Sequence, residues 1–241
     1  MNRVFKVFYI FLILFTFSFA YLPSQETQLM QFHFSESQEE WMGDFSDYPK
    51  GEEAFYELAW GWENLPTETT LPNDSTMKLS KGLFLSGNNH SDDLFMFVKH
   101  CIQGLKPKTW YALTYSLLIE SNVSANLFGI GGSPGESVFV KVGASSHEPQ
   151  KIIHQGIYRL NIDKGNQSQE GDNAHVIGDL ANREVDPDKP EYRLKQLESK
   201  MPLIVQTDQN GQLWIFVGTD SGFEGPTKFY IASLDLTIVE I

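Results

Sequence analysis

Four segments of the chain are rich in Gly, Asn, Ser and Asp, residues that place amides, hydroxyls and carboxylates on flexible backbone. Each borders an apolar stretch, so each would be anchored to a rigid scaffold, as binding loops commonly are. Their side chains offer the donors and acceptors that sugar hydroxyls or a calcium ion need. We therefore predict that these four polar loops form a ligand site; the alternative is that they are ordinary loops of a secreted protein. They are residues 86–93 (SGNNHSDD), 129–137 (GIGGSPGES), 163–173 (DKGNQSQEGDN) and 218–227 (GTDSGFEGPT).

The candidate ligand-binding side chains come from the first and last of these loops. In the last loop, Gly218, Gly222 and Gly225 are expected to take positive φ angles and so bring the neighbouring oxygens together. The alternative is that Asp220 and Ser221 only bond the N–H groups of their own loop. The candidates are Asn88, Asn89, Asp92, Asp93, Asp220, Ser221 and Glu224.

Aromatic side chains supply a second kind of sugar contact, because a ring face packs well against apolar C–H groups. Trp60 and Trp62 would share one face of a strand, since side chains alternate along strands. We interpret them either as part of a core stripe or as a sugar-stacking surface near a sheet edge. Trp110 and Trp214 lie within apolar alternation and are predicted to be core residues.

One segment formally matches a catalytic motif. Residues 131–135 (GGSPG) fit the G-x-S-x-G pattern of a nucleophile elbow, in which the residue after the serine donates its N–H to an oxyanion. Here that residue is Pro134, which has no N–H, and the following ESVFVKVGA predicts a strand instead of the required helix. The sequence therefore predicts a turn at Ser133 and names no catalytic residue.

Residues that commonly bind metals form no complete motif. The six histidines lack the i, i+4 and His-x-His spacings common in zinc sites. Residues 161–165 (NIDKG) begin like a calcium loop but lack its later acidic ligands, so weak calcium binding stays open. Cys101 is the only cysteine, which excludes an internal disulfide, and its apolar setting predicts a buried thiol.

The elements that would position these residues are strands. Apolar and polar residues alternate in many short segments, with Gly, Pro and Asn between them, and the sequence shows no convincing amphipathic helix. Residues 208–211 (DQNG) predict the clearest hairpin turn, and residues 184–202 predict a long charged surface loop with one helical turn. The pattern predicts an all-β fold, an antiparallel β-sandwich of jelly-roll type with adjacent first and last strands. The predicted strands are QFHF, AFYELAWGW, MKLSKGLFLSG, DLFMFVKHCI, WYALTYSLLIES, ANLFGIGG, SVFVKVGAS, YRLNI, HVIGDL, LIVQT, LWIFVG and KFYIASLDLTIV.

The first twenty residues have the features of a signal peptide. A basic start is followed by an apolar run shorter than the roughly 20 residues of a membrane-spanning helix, and then by Ser18-Phe19-Ala20, a small-x-small cleavage site. An uncleaved N-terminal anchor is the alternative. We predict an exported protein, secreted or periplasmic, with no membrane insertion after cleavage. Residues 21–31 would form a linker and residues 32–241 a single β-sandwich domain.

The formal net charge of −13 limits the choice of partner. Such an acidic protein repels phosphate backbones and anionic membranes, so nucleic-acid binding is disfavoured. A cation, a neutral sugar or a basic protein fits the charge better.

Three segments resemble strands of galactose-binding-like jelly rolls, the fold of many carbohydrate-binding modules. They are residues 31–41 (QFHFSESQEEW), 105–121 (LKPKTWYALTYSLLIES) and 227–238 (TKFYIASLDLTI). In that fold a structural calcium ion often ties the first strand to the last through acidic side chains, and the resemblance implies Glu36 and Asp235 as its ligands here. Ala232 and Ser233 stand where the family pattern has an Asp-Asp pair.

These observations predict a non-catalytic binding module whose ligand is a carbohydrate, with a calcium ion as a possible cofactor. Two alternatives stay open. One is a jelly-roll glycosidase or lyase that uses paired carboxylates, either Asp92 with Glu136 or Asp220 with Glu224. The other is an envelope protein that binds another protein through a sheet face.

Overall fold

The computed structural model describes residues 26–72 and 74–241, and in these residues every regular element is a β-strand. The predicted signal peptide lies outside the described residues. No helix in the described ranges is long and apolar enough to cross a membrane. The strands are β1 (Thr27–His33), β2 (Met42–Ser46), β3 (Tyr48–Pro49), β4 (Ala59–Leu71), β5 (Asp74–Asn88), β6 (Leu94–Ile102), β7 (Trp110–Ser121), β8 (Val138–Ser145), β9 (Lys151–His154), β10 (Ile157–Leu160), β11 (Ala174–Asp179), β12 (Arg193–Glu198), β13 (Leu203–Gln206), β14 (Leu213–Ser221) and β15 (Pro226–Glu240).

Seven strands form the front sheet, in the order β12-β7-β15-β5-β4, with β13 also paired to β7 and β1 to β15. The last strand, β15, is central: it pairs with β7 on one side and with β5 and β1 on the other. The β1–β15 pairing runs antiparallel from Thr27 opposite Val239 to His33 opposite Ser233. The first and last strands are therefore adjacent, as the sequence predicts.

Five strands form the back sheet, in the order β11-β8-β14-β6-β2, and all of its pairs are antiparallel. The two sheets enclose one core, because the apolar residues of each strand alternate toward the space between them. The predicted antiparallel β-sandwich of jelly-roll type is confirmed. Fully buried core residues of the front sheet include Leu83, Leu117 and Leu234, and those of the back sheet include Met96, Val140 and Ile215.

The outer face of the back sheet is also buried. It carries Phe95, Phe97 and Phe216, which form a second apolar cluster against Leu160 and Ile162. Those two residues belong to the covering segment, which we define as residues 157–173: β10 and the loop that follows it. The strands β3, β10 and β9 form a small third sheet at its start. The back sheet is thus buried on both faces.

Two predicted elements are wrong. ANLFGIGG (residues 125–132) is not a strand; its turn has positive φ at Asn126, Gly131 and Gly132. Residues 193–198, predicted to lie in a surface loop, form β12 and pair with β7 from Arg193 opposite Ser121 to Glu198 opposite Ser116. Because β12 is an edge strand, its charged residues can face water. Its sequence therefore lacks the apolar character by which the other strands were predicted.

The DQNG segment is not a hairpin turn. It has the expected turn chemistry: Gly211 has a φ of 74°, and Asp208 Oδ1 accepts the N–H groups of Asn210 and Gln212. However, β13 before it pairs in the front sheet, whereas β14 after it belongs to the back sheet. The same turn residues therefore make an arch between sheets, a distinction that local sequence does not encode. A tight hairpin occurs between β9 and β10, at Gln155-Gly156, both with positive φ.

Core burial predicts the outcome of a matched pair of truncations in the front sheet. Leu117 is fully buried, whereas Leu29 is 61% exposed on the same sheet. We expect Leu117→Ala to lower the free energy of unfolding by about 2–5 kcal/mol, because it removes buried methyl groups and leaves a cavity. Leu29→Ala is expected to change it by less than about 0.5 kcal/mol. Urea unfolding measures both, and equal losses would contradict the assigned sandwich interior.

Candidate functional site

The four polar loops meet at one end of the sandwich. The Gln167 amide Nε2 donates to the backbone oxygen of Asp92 at 2.7 Å, which joins the third loop to the first. The N–H of Glu224 donates to the backbone oxygen of Ile130 at 2.9 Å, which joins the fourth loop to the second. Segments far apart in the sequence therefore form one loop cluster.

Asn89 is the internal brace of this cluster. It is 2% exposed, and its Nδ2 donates to the backbone oxygens of Ser221 and Phe223 at 3.0 and 2.9 Å. Its Oδ1 accepts the N–H of Ser91 at 3.1 Å. With its amide group engaged in this way, Asn89 holds the loops together and has little capacity left for a ligand. Asn88, next to it, is partly exposed and donates to Glu57 at 2.9 Å.

The glycines of the last loop allow close packing, whereas the sequence predicts that they adopt positive φ angles. Gly218, Gly222 and Gly225 are absent from the residues with positive φ. A Cβ on Gly218 would lie 2.2 Å from the backbone oxygen of Met96, and one on Gly225 would lie 2.5 Å from the ring of Phe223. Close packing explains these glycines. The connection itself is short, since β14 extends to Ser221 and β15 starts at Pro226.

Asp220 and Ser221 are wholly inside the protein, with exposed fractions of 0% and 1%. Ser221 Oγ donates to the backbone oxygen of Phe223 at 3.0 Å. Asp220 belongs to a set of charges between the back sheet and the covering segment, which we call the ion network; four of its members are buried, whereas the side chains of Arg159 and Asp93 are 40% and 23% exposed. Its members are Asp47, Asp93, Asp220, Lys141, Lys164 and Arg159.

Two lysines converge on Asp220 in the ion network. Lys141 Nζ and Lys164 Nζ lie 2.9 and 2.8 Å from Asp220 Oδ2. Lys141 is fully buried on β8 and also donates to two backbone oxygens, of Lys164 and Gln169. Burial lowers the pKa of Lys141. The pKa of Lys164 is raised: burial opposes its charge, but the carboxylates of Asp220 and Asp47 outweigh burial.

The other half of the network surrounds Arg159. Its Nη1 lies 2.8 Å from Asp47 Oδ1 and 2.7 Å from Asp93 Oδ2. Burial, and to a lesser degree the neighbouring Asp47, raises the pKa of Asp93 to about 6, although Arg159 opposes the shift. Asp47 adopts a φ of 66°, which is uncommon outside glycine.

The three carboxylates of the network could be mistaken for a metal site, since one oxygen of each lies within 4.8 Å of the others. Lys141, Lys164 and Arg159 supply three positive charges to the same oxygens, so the set is already neutral. A divalent cation would have to displace ammonium groups that are themselves buried, which is unfavourable. The donor set therefore does not fit a metal ion.

A groove crosses the outer face of the front sheet, with a volume of about 280 Å³. One wall comes from the tip of the β4–β5 hairpin, with Leu71, Asp74 and Met77. His33 Nε2, in the groove, is buried and has no hydrogen-bond partner; it lies 3.7 Å from Asp235 Oδ1. The polar side chains from the sheet are Gln31, His33, Ser116, Gln196, Ser233 and Asp235. Apart from Asp235, sequence reasoning missed them, although polar residues at alternate strand positions were the available signal.

Trp110 is placed differently from the prediction, whereas Trp60 and Trp62 agree with their interpretation as core residues. Trp110 was predicted to lie in the core, but it is 49% exposed at the start of β7. It shares the outer face of that strand with Ser116, six residues on, so the two lie about 20 Å apart. Trp60 and Trp62 are partly buried and pack on the core. Trp62 Nε1 donates to the backbone oxygen of Phe34 at 2.6 Å.

The remaining predicted residues do not all lie at one site. Asp92 and Glu224 reach the surface of the loop cluster, where both lie close to Gly131. Asp235 lies opposite Gln31 in the β1–β15 register and accepts its Nε2 at 3.3 Å. Glu36 is exposed beyond the end of β1, so the pair implied by the family resemblance is not positioned by one common register.

The formal catalytic and calcium motifs are both turns. Ser133 Oγ donates a hydrogen bond to the Glu136 carboxylate and accepts one from the N–H of Gly135. Strand β8 follows at Val138. Asp163 accepts the N–H groups of Gly165 and Asp172, and these bonds lower its pKa. In both cases the polar side chains satisfy their own backbone, as such residues commonly do in loops.

Asn89 and Asn88 offer a matched pair for testing the brace. We expect Asn89→Ala to lower the free energy of unfolding by about 1–3 kcal/mol, because it leaves buried carbonyl groups without donors. Asn88→Ala, which removes a bond to an exposed carboxylate, should change it by less than about 0.5 kcal/mol. Chemical denaturation compares them, and an Asn89 variant as stable as the Asn88 variant would contradict the brace.

The raised pKa of Asp93 predicts a pH dependence of stability. Since folding raises this pKa from its ordinary value near 4 to about 6, the folded state holds more protons in that range, and its stability falls as pH rises through it. Relative to Asp93→Asn, the wild type should lose up to about 3 kcal/mol between about pH 4 and pH 7, since a tenfold change in proton affinity is about 1.4 kcal/mol. Denaturation at both pH values measures the difference. A constant difference would contradict the shift.

No family model matches the chain, and no curated protein matches it in sequence. Among solved structures, a family 61 carbohydrate-binding module in complex with β-1,4-galactotriose is 9% identical, with a TM-score of 0.34, over 82% of this chain and 87% of that chain. A family 27 module described for mannan recognition is 14% identical, with a TM-score of 0.37, over 88% and 98%. The K1 cleaved adhesin domain of Lys-gingipain from Porphyromonas gingivalis is 13% identical, with a TM-score of 0.35, over 88% and 97%. The neighbours thus include carbohydrate-binding modules with a β-sandwich fold, and this chain's own strand pairing shows the same class of fold.

Proposed function

We propose that this protein is a non-catalytic carbohydrate-binding module that works outside the cell and binds its ligand in the front-sheet groove. The observation that carries the proposal is the groove's lining: hydroxyl, carboxamide, imidazole and carboxylate groups on a rigid sheet. Sugar hydroxyls both donate and accept hydrogen bonds, so a mixed lining of this kind suits them. Asp235, whose side chain is 41% exposed in the groove, offers a carboxylate that can accept hydrogen bonds from ligand hydroxyls.

Trp110 extends the proposed binding surface along β7. Its exposed indole, with Ile204 beside it at 45% exposure, gives an apolar platform on the same face of the sheet as the groove. An aromatic ring face stacks on the apolar face of a sugar ring. The distance from Trp110 to Ser116 means that a ligand touching both would be an oligosaccharide several residues long.

Binding without cleavage fits the carboxylates of the groove better than glycoside hydrolysis does. A glycosidase needs one carboxyl group with a raised pKa to protonate the leaving group. Hydrogen bonds from Thr76 lower the pKa of Asp74, the carboxyl group on the groove wall. Of the carboxylate pairs considered from the sequence, Asp220 with Glu224 is unsuitable, since Asp220 is fully buried in the ion network.

Calcium remains a prediction from the family resemblance, with Glu36 and Asp235 as its ligands. Asp235 lines the proposed groove, so a calcium ion there would be expected to affect the binding of sugar directly. The binding measurements described next are therefore made with calcium and with a chelator.

Replacement of Trp110 tests the proposal. After a polysaccharide screen identifies a ligand for the mature protein, Trp110→Ala should weaken binding about threefold to tenfold, as expected for the loss of one stacking contact of about 0.5–1.5 kcal/mol. The matched control is Phe128→Ala, which removes a fully exposed aromatic side chain next to the loop cluster, outside the groove. Isothermal titration measures affinity, and thermal melting confirms that both variants are folded. Loss of binding in Phe128→Ala alone would place the site at the loops and refute the groove.

A further inference from the structure

Lys141 and Asp220 are neighbours on the outer face of the back sheet. In the β8–β14 register Lys141 lies opposite Gly218, and Asp220 lies opposite Phe139. The two side chains are thus diagonal neighbours on adjacent strands. The distance from Lys141 Nζ to Asp220 Oδ2 is 2.9 Å, and both side chains have an exposed fraction of 0%.

The pair lies in an aromatic setting. Phe95, Phe97 and Phe216 lie on the same face of the sheet, and the covering segment closes over them. The ring centroid of Phe95 is 5.0 Å from the Nζ of the neighbouring Lys164. An ammonium and a carboxylate held without water lose most of their hydration energy. Condensing them into a neutral amide removes that cost.

The two oxygens of Asp220 have different environments. Oδ2 accepts three hydrogen bonds, from Lys141 Nζ, Lys164 Nζ and the N–H of Gln167, the last two at 2.8 Å. Oδ1 is equally buried but has no hydrogen-bond partner. The Lys164 ammonium and the Gln167 N–H therefore form an oxyanion hole around Oδ2, whereas Oδ1 is the oxygen that is free to leave.

We propose that Lys141 and Asp220 form an intramolecular isopeptide bond in the folded protein. The new bond joins Lys141 Nζ to Asp220 Cγ, and the bond from Cγ to Oδ1 breaks. The ammonium gives up two hydrogens and the carboxylate gives up Oδ1, which leave together as one water molecule. No oxidant, cofactor or second substrate is required, and the net charge of the protein is unchanged.

The neighbouring groups supply what the reaction needs. The nucleophile must be a neutral amine, and burial lowers the pKa of Lys141 in that direction. A proton must also reach Oδ1. Asp93, with a pKa of about 6, has one oxygen within 4.8 Å of an Asp220 oxygen, and its buried Oδ1 has no partner. Asp93 is thus the neighbouring carboxyl group that we assign to protonate the leaving oxygen.

After the bond forms, the remaining charges of the ion network still cancel. Once Lys141 and Asp220 are neutral, the network retains the carboxylates of Asp47 and Asp93 and the cations of Lys164 and Arg159. These still form the ion pairs Lys164–Asp47 at 3.0 Å and Arg159–Asp93 at 2.7 Å. The raised pKa of Lys164 keeps it charged, which suits it to stabilise the oxyanion and makes it a poor nucleophile.

Intact mass spectrometry of the denatured full chain tests the proposal directly. The measured mass of the wild type is expected to be lower, by one water molecule, than the mass calculated from its sequence. Lys141→Arg should have its full calculated mass. Lys164→Arg keeps the charge but removes the second amine, and it should still lose the water. Digestion of the wild type should yield one branched peptide joining Lys141 to Asp220. Asp93→Asn should lower the linked fraction.

The results that overturn the proposal are equally direct. A wild-type chain at its full calculated mass excludes the bond, and this measurement does not depend on whether any variant folds. A missing water that persists in Lys141→Arg but disappears in Lys164→Arg would assign the chemistry to the other lysine. An unchanged linked fraction in Asp93→Asn would refute the proposed proton carrier.

Discussion

The covering segment can seal the back sheet only because the charges it buries are paired. Three carboxylates and three bases come together where β8, β14 and residues 157–173 meet, at a site where isolated charges would be strongly unfavourable. The arrangement fixes register as well as charge: Lys141 reaches the backbone oxygens of Lys164 and Gln169, so the loop can close in only one position. The polar loops at that end of the sandwich take their positions from this contact, through Gln167 and Asp220.

This constraint explains why residues that look like a binding site are so often internal. Asp220, Ser221 and Asn89 are short polar residues in Gly-rich segments, and such residues are equally suited to binding a ligand and to joining loops. Here they join loops. The exposed polar surface lies elsewhere, on the front sheet, where rigid strands instead of loops present Gln31, Gln196 and Asp235. Many polar residues of the loop cluster are therefore structural, whereas those that line the front-sheet groove are accessible.

Sequence reasoning was sufficient for the class of fold and for most strands, because alternation and turn residues are local signals. It failed where the answer depended on partners distant in the chain. The DQNG turn has hairpin chemistry, yet the strands on either side of it lie in different sheets. Trp110 sits in an apolar pattern, yet its face of β7 is open to solvent. Lys141 and Lys164 gave no signal, since their importance comes from Asp220, which is 79 and 56 residues away in the sequence.

The central position of β15 bears on when the chain can fold. The strand β15 pairs with β1, β5 and β7, so the front sheet lacks its middle until residues 226–240 have been added. Non-local pairings of this kind form slowly, because closing the long intervening loop costs conformational entropy before any contact stabilises the pairing. The front sheet can therefore be completed only after β15 has been synthesised, whereas the five strands of the back sheet pair without it.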